Sequence, residues 1–241
     1  YRNRRIAHLL ILNSMVKLME LFLILKFWLL NNRLYYNKRL SRNKSNKDPL
    51  IVLLHGYGSN ENDLFSFKNF FDENYNIVSF RAPITIYEGM FAWYDIFYQN
   101  NIKSFDEIKA TESSKSIVDE IKQICKEFNC DEKRITIIGF SQGAILGYSI
   151  ALSNPGLIKN LVALSGYVEE KIIEFNAKKT NTSIYVSHGK NDDTIPYLES
   201  KKTLEILKEK GIKYDYNSFN QGHGVNQENL NSFLNWLKNK Y

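Results

Sequence analysis

RITIIGFSQGAILGY, residues 134–148, passes from one apolar segment into another across Gly139-Phe140-Ser141-Gln142-Gly143. The first half is β-branched, as suits a strand buried on both faces. The second half has helical composition. A serine between two glycines at such a junction has a physical explanation. The turn is so tight that its central residue takes a strained backbone conformation and lifts its Oγ clear of the sheet. Side chains at the flanking positions would collide with the neighbouring strand and helix, so glycine is required on each side. The helix that follows lends its free N–H groups and its dipole to negative charge developing beside the serine. The pentapeptide alone is a weak signal. Its place between ITII and AILGYSIAL makes Ser141 a candidate nucleophile.

Working outward, short apolar or β-branched runs recur from Pro49 onward: LIVLL (50–54), IVSF (77–80), ITII (135–138), LVAL (161–164), IYVS (184–187) and KYDYNSF (213–219). Several lack polar alternation, which is the mark of strands covered on both faces of a parallel sheet. Between them lie helical spacings. Ile117, Ile121, Ile124 and Phe128 form one series, and Leu230, Phe233, Leu234 and Leu237 form another. Strands alternating with helices predict a doubly wound, mostly parallel α/β sheet in one domain over residues 48–241.

A serine hydroxyl is a poor nucleophile at neutral pH and needs a base held by an acid. In this architecture the partners follow in the order Ser, acid, His. His8 and His55 precede Ser141, and no strand-and-acid pair separates Ser141 from His188. His223, in FNQGHGVNQENL, follows the last strand and precedes the last helix, so it is the predicted base. The acid belongs after IYVS, where the chain reads HGKNDDTIPY. Spacing leaves both Asp192 and Asp193 open. An oxyanion needs a second donor besides the N–H of Gln142. The N–H of Tyr57, just past a strand end and between Gly56 and Gly58, is the predicted one. His55 beside it reads as structural.

In order along residues 50–226, LLHGYGSNENDLF, RAP, AWYD, GFSQGA, ALSGY, HGKNDDTIP and GHGV together resemble the phospholipase/carboxylesterase family of α/β hydrolases, which includes acyl-protein thioesterases and lid-free bacterial carboxylesterases. The resemblance implies an α/β-hydrolase fold without a cap domain. It implies a Ser–His–acid hydrolase that acts on carboxylic esters or thioesters through an acyl-enzyme and uses no cofactor or metal. The family pattern HG-x-x-D-x-x-[V/I]-P, laid on HGKNDDTIP, puts the acid at Asp192 and leaves Asp193 variable. Lysophospholipase or acyl-protein thioesterase activity is the same chemistry on another leaving group. A catalytically silent binding module is the non-enzymatic alternative. A dienelactone-type hydrolase would usually carry cysteine at the elbow, and Ser141 argues against it.

Only about twenty residues separate LVAL from IYVS, too few for a packed cap, so an open groove is expected. APITIYEGMFAWYDIF offers Ile84, Tyr87, Met90, Phe91 and Trp93 as its apolar lining, with Tyr167 as a further wall. A groove of that kind suits a small or lipid-like substrate with a short or medium acyl chain.

The net charge of +6 suggests nucleic acid until its placement is read. Residues 1–47 carry 11 Lys/Arg and a single acid, Glu20, a net of +10, which leaves −4 for the remainder. The catalytic body is mildly acidic and predicts no nucleic-acid partner. The arm, with LLILNSMVKLMELFLILKFWLL broken by Asn13, Lys17, Glu20 and Lys26, is neither a clean spanning helix nor cleanly amphipathic. It reads as a dispensable extension, with Met15 as an alternative start. Membrane association through residues 9–30 is the second reading and a secretion signal the third. Cys125 and Cys130 read as reduced thiols of a cytoplasmic protein. Monomer and homodimer both stay open.

Overall fold

The computed structural model describes residues 33–43, 47–100, 102–175 and 180–240, together with residues 16, 17 and 19. The chain divides into two units, Tyr1–Arg33 and Leu34–Tyr241. In the first, only Val16, Lys17 and Met19, all three helical, and Arg33 at its end are described. The readings of residues 9–30 therefore lie outside the described residues, apart from those three.

The second unit is built on a seven-stranded sheet in the order β1-β3-β2-β8-β9-β10-β11. Its strands are β1 (Tyr36–Arg39), β2 (Asp48–Leu54), β3 (Asn76–Phe80), β8 (Cys130–Phe140), β9 (Asn160–Leu164), β10 (Ser183–Gly189) and β11 (Tyr214–Phe219). All neighbours run parallel except β1, which pairs antiparallel with β3. The parallel α/β architecture expected from the run of apolar segments is present.

Strand β2 shows why those segments lack alternation. Leu50, Val52 and Leu54 enter the core on one face of the sheet, while Ile51 and Leu53 enter the core on the other. All five are fully buried, each worth about 1.5–3 kcal/mol relative to an exposed side chain. Helix α1 (Glu107–Glu127) starts on an Asp106 cap that accepts the Lys109 N–H at 2.9 Å, and it buries Ile117, Ile121 and Ile124. Helix α2 (Gln142–Ser153) is buried from Gln142 through Leu152, which explains its apolar composition on every side. Helix α3 (Tyr197–Glu209) joins α1 and α2 on that face through Leu207. Helix α4 (Gln227–Lys238) covers the opposite face with Leu230, Phe233 and Leu237.

Two features differ from expectation. Residues 34–47, read as the end of an arm, supply an edge strand, and the folded unit begins at Leu34 rather than at residue 48. The strand is short and polar because it has a partner on one side only, so burial does not demand apolar residues there. Residues 84–105 also form two hairpins inserted between β3 and α1. One consists of β4 (Ile84–Tyr87) and β5 (Met90–Ala92), the other of β6 (Ile96–Gln99) and β7 (Ile102–Phe105). Between β9 and β10 the described residues hold a single 3-10 turn, Glu170–Ile172, and no cap.

Arg81, at the end of β3, ties these parts together. Its Nε donates to Glu61 Oε2 at 2.7 Å and its Nη2 to Oε1 at 2.5 Å, while the guanidinium stacks on Tyr35 and Phe91 at 4.2 and 4.6 Å from the ring centres. The pair anchors the loop after β2 to the first hairpin. The Arg81 hydrogen bonds hold the Glu61 carboxyl below the ordinary carboxylate range. Its stabilisation is therefore complete above that ordinary range and fades as pH falls through the lowered value. Glu61→Gln is expected to cost about 1–2 kcal/mol in urea denaturation at pH 7, less than breaking a fully buried pair because Arg81 is one-third exposed, and less still near pH 3.

Candidate active site

Strand β8 ends at Phe140, and the chain turns directly into α2 through Ser141 at φ 54°, ψ −118°. A non-glycine residue rarely occupies that region, and here the surroundings enforce it. The Ser141 N–H donates to Leu164 O at 2.9 Å, pinning the turn to the end of β9. A Cβ on Gly139 would collide with the Gly143 carbonyl, and one on Gly143 with the backbone of Leu54 and His55. The two glycines thus let strand, turn and helix approach within backbone contact.

The turn brings together three residues far apart in sequence. His223, on the loop between β11 and α4, places Nε2 3.0 Å from Ser141 Oγ. Its Nδ1 lies 2.8 Å from Asp192 Oδ2. Asp192, on the loop after β10, has a fully buried side chain, and its Oδ1 accepts the N–H groups of Thr194 at 3.0 Å and Ile195 at 2.9 Å. Asp193 is exposed. Acceptor-only Oδ2 facing Nδ1 fixes the proton on that nitrogen and leaves Nε2 free to take one from the hydroxyl. The Phe140 ring packs against the imidazole at 4.8 Å between centres and steadies it from the elbow side.

The Gln142 side chain has a positioning task of its own. Its Oε1 accepts the Trp93 N–H at 3.0 Å and its Nε2 donates to Tyr94 O at 2.8 Å, so the first residue of α2 is clamped to the segment that enters the second hairpin. His55 is buried and kept neutral by that burial. It accepts the Ala82 N–H on Nε2 at 3.0 Å, and its carbonyl accepts Trp93 Nε1–H at 2.9 Å. Its ring is engaged with Gly56 O and the Ala82 N–H, which fixes the base of the loop. Tyr57 follows on that loop, and with Gly56 it borders the opening beside Ser141 and Gln142.

That opening is a groove of ≈ 450 Å³. Tyr94, Ile96, Phe105, Phe140, Ile145, Tyr167 and Ile195 supply its apolar walls, and Lys103, Glu107, Glu169 and Lys171 its charged edge. Tyr167 is where the sequence placed it. The other predicted lining residues are not there. Ile84, Tyr87, Met90 and Phe91 belong to the first hairpin, beside the Tyr57 loop. Phe91 is engaged with Ser59 and Arg81, while Tyr87 is 71% exposed. Trp93 is fully buried beneath the site. Part of the wall comes instead from the next hairpin, through Ile96, Tyr98 and Phe105, and its IFYQNNIKSF pattern carried a legible signal: two β-prone runs around an Asn-Asn turn, with Asn100 at φ 50°. Among the described residues no group of His, Cys, Asp and Glu could hold a metal ion, and no helix is long and apolar enough to cross a membrane.

Known proteins share this arrangement of chain. The phospholipase/carboxylesterase family model matches residues 37–240. Acyl-protein thioesterase 1 of Candida albicans is 28% identical over 221 residues, covering 83% of this chain and 96% of its own. A putative hydrolase of Bacillus subtilis, MhqD, is 24% identical over 81% of this chain and 95% of its own. Among solved structures, the Bacillus cereus carboxylesterase superposes with a TM-score of 0.75 at 22% identity, covering 86% of this chain and 95% of that one, a likeness of fold. With the elbow, the strand order and the span of the matching model in agreement, the chain belongs to the phospholipase/carboxylesterase family of α/β hydrolases.

Proposed function

We propose that the chain is a serine carboxylesterase that hydrolyses short or medium acyl esters or thioesters through an acyl-enzyme. The observation that carries this reading is the unbroken relay from Ser141 Oγ through His223 to Asp192, at 3.0 and 2.8 Å, opening onto an apolar groove. Ser141 attacks the carbonyl while His223 Nε2 takes its proton, and Asp192 stabilises the resulting imidazolium. The backbone N–H groups of Tyr57 and Gln142 receive the oxyanion. The tetrahedral intermediate collapses as His223 returns the proton to the leaving alcohol or thiol. Water, activated by the same imidazole, then releases the acid and regenerates Ser141.

The open groove and its charged edge also accommodate a bulky leaving group. Together with the thioesterase name of a relative, this supports acyl-protein thioesterase chemistry as the second reading. The two buried free cysteines are in keeping with a reducing, cytoplasmic compartment.

A fluorophosphonate probe should label the protein, and Ser141→Ala should abolish the labelling. Labelling that survives Ser141→Ala would move the nucleophile elsewhere. No labelling of the intact protein would favour a silent binding module. Rates on p-nitrophenyl esters, acyl thioesters and lysophospholipids rank the leaving groups.

A further inference from the structure

Building on the hydrolase reading, we propose that His188 is a positioning residue for Asp192, and that its Nε2–H sets the pH range in which the Ser141–His223 pair is active. His188 lies in β10, fully buried, and is not part of the relay. Its Nε2 stands 2.8 Å from Ile195 O and 3.4 Å from Asp192 Oδ2, the same oxygen that receives His223 Nδ1. A carbonyl and a carboxylate are both acceptors only, so the proton sits on Nε2, where it is donated to Ile195 O with Asp192 Oδ2 close beside it. Nδ1 is buried with no hydrogen-bond partner, which suits a bare nitrogen and would penalise a second N–H. Burial keeps the ring neutral.

Neutral His188 therefore acts as a fixed dipole, with two consequences. It closes the 192–195 loop from below, since that loop already folds back through the Thr194 and Ile195 N–H groups onto Oδ1. It also takes a share of the negative charge on Oδ2 that would otherwise act on His223 alone. The groups facing it are few. Asp192 lies on its own loop and His223 on the β11–α4 loop, while α3 brings the Tyr197 ring, 6.3 Å away between centres, and the Glu199 carboxylate. Of these, Asp192 is the carboxylate beside Nε2, its Oδ2 3.4 Å away and within reach of the N–H dipole. Removing that donor concentrates the Oδ2 charge on His223, which then holds its proton to higher pH. The relay loses its aim at the same time.

The substitutions that separate these effects are His188→Gln, whose terminal amide nitrogen falls near the position of Nε2, and His188→Asn and His188→Phe, which place no donor there. Hydrolysis of p-nitrophenyl butyrate is followed from pH 5 to 9, with thermal melting as a check on folding. Phe and Asn variants should lose kcat about tenfold with KM within about twofold, and the acid limb of kcat/KM should move up by about half a pH unit. The Gln variant should restore both. A Gln variant no better than Asn, or an acid limb unchanged in every folded variant, overturns the inference even if His188→Phe does not fold. Fluorophosphonate labelling of the same proteins keeps the two readings apart. Labelling that depends on Ser141 beside an unmoved acid limb removes only the role of His188. Labelling that ignores Ser141 removes the hydrolase reading and this inference with it.

Discussion

Asp192→Asn should lower kcat on a short p-nitrophenyl ester by about four orders of magnitude, while Asp193→Asn should leave it within about twofold. The two residues are adjacent and chemically identical, so the contrast comes from their surroundings. Asp192 Oδ1 accepts two backbone N–H groups, an arrangement that an asparagine carbonyl oxygen can keep. The asparagine NH₂ would then occupy the Oδ2 position, 2.8 Å from His223 Nδ1. A donor at that place forces Nδ1 to be the acceptor and moves the imidazole proton to Nε2. Nε2 can then no longer accept the Ser141 proton, although every heavy atom stays where it was. Asp193 is exposed and meets neither histidine, so loss of its charge leaves the imidazole tautomer alone. Folding is monitored by circular dichroism. Equal losses from both substitutions in folded proteins would detach Asp192 from the relay.

That pair of aspartates shows where sequence reading stops. Strand, turn and helix around Ser141 are local, and each is dictated by nearby residues: β-branched side chains before the turn, glycines at its corners, an all-apolar helix after it. The order of nucleophile, acid and base comes with the architecture, and the apolar runs mark where strands lie along the chain but not their order across the sheet. Choosing between neighbours depends on which carboxylate meets the Thr194 and Ile195 amides, and that is decided by how the loop folds back on itself. Spacing carries no trace of it, and only the family pattern pointed to Asp192. The groove walls were misplaced for a related reason. The segments 84–92 and 96–105 are both aromatic-rich hairpins, and nothing local states which of them leans over Ser141. Clamping of Gln142 onto Trp93 and Tyr94 is a long-range contact, and it draws the second hairpin to the groove while the first packs on Arg81. Strand β1 escaped notice because an edge strand needs hydrogen bonds more than apolar side chains, and Tyr36–Arg39 looks like a polar connector.

Gly143→Ala is the second substitution with a large expected effect, and it acts through the backbone. A methyl group at this position would run into the carbonyl oxygens of Leu54 and His55 at closer than any van der Waals approach. Neither obstacle is a side chain that can rotate away. Relief requires the first turn of α2 to part from the end of β2. Parting them separates Ser141 and the Gln142 N–H on one side from Gly56 and Tyr57 on the other, and these are the two edges from which the oxyanion is to be held. Overpacking against fixed backbone is expected to cost about 3 kcal/mol of stability. A misplaced oxyanion site should lower kcat at least about a hundredfold in the molecules that remain folded. Gly156→Ala is the control: its φ of +91° makes alanine strained, but open space surrounds it and it lies beyond the C-terminal end of α2, at the opposite end of the helix from Ser141. That variant should lose about 1 kcal/mol with kcat intact. Stability from urea titration and kcat from active-site-titrated enzyme separate the two quantities. A Gly143→Ala protein that melts and turns over like the parent would mean that β2 and α2 do not approach as closely as the elbow requires, and the shared edge that the proposed oxyanion site depends on would be lost with it.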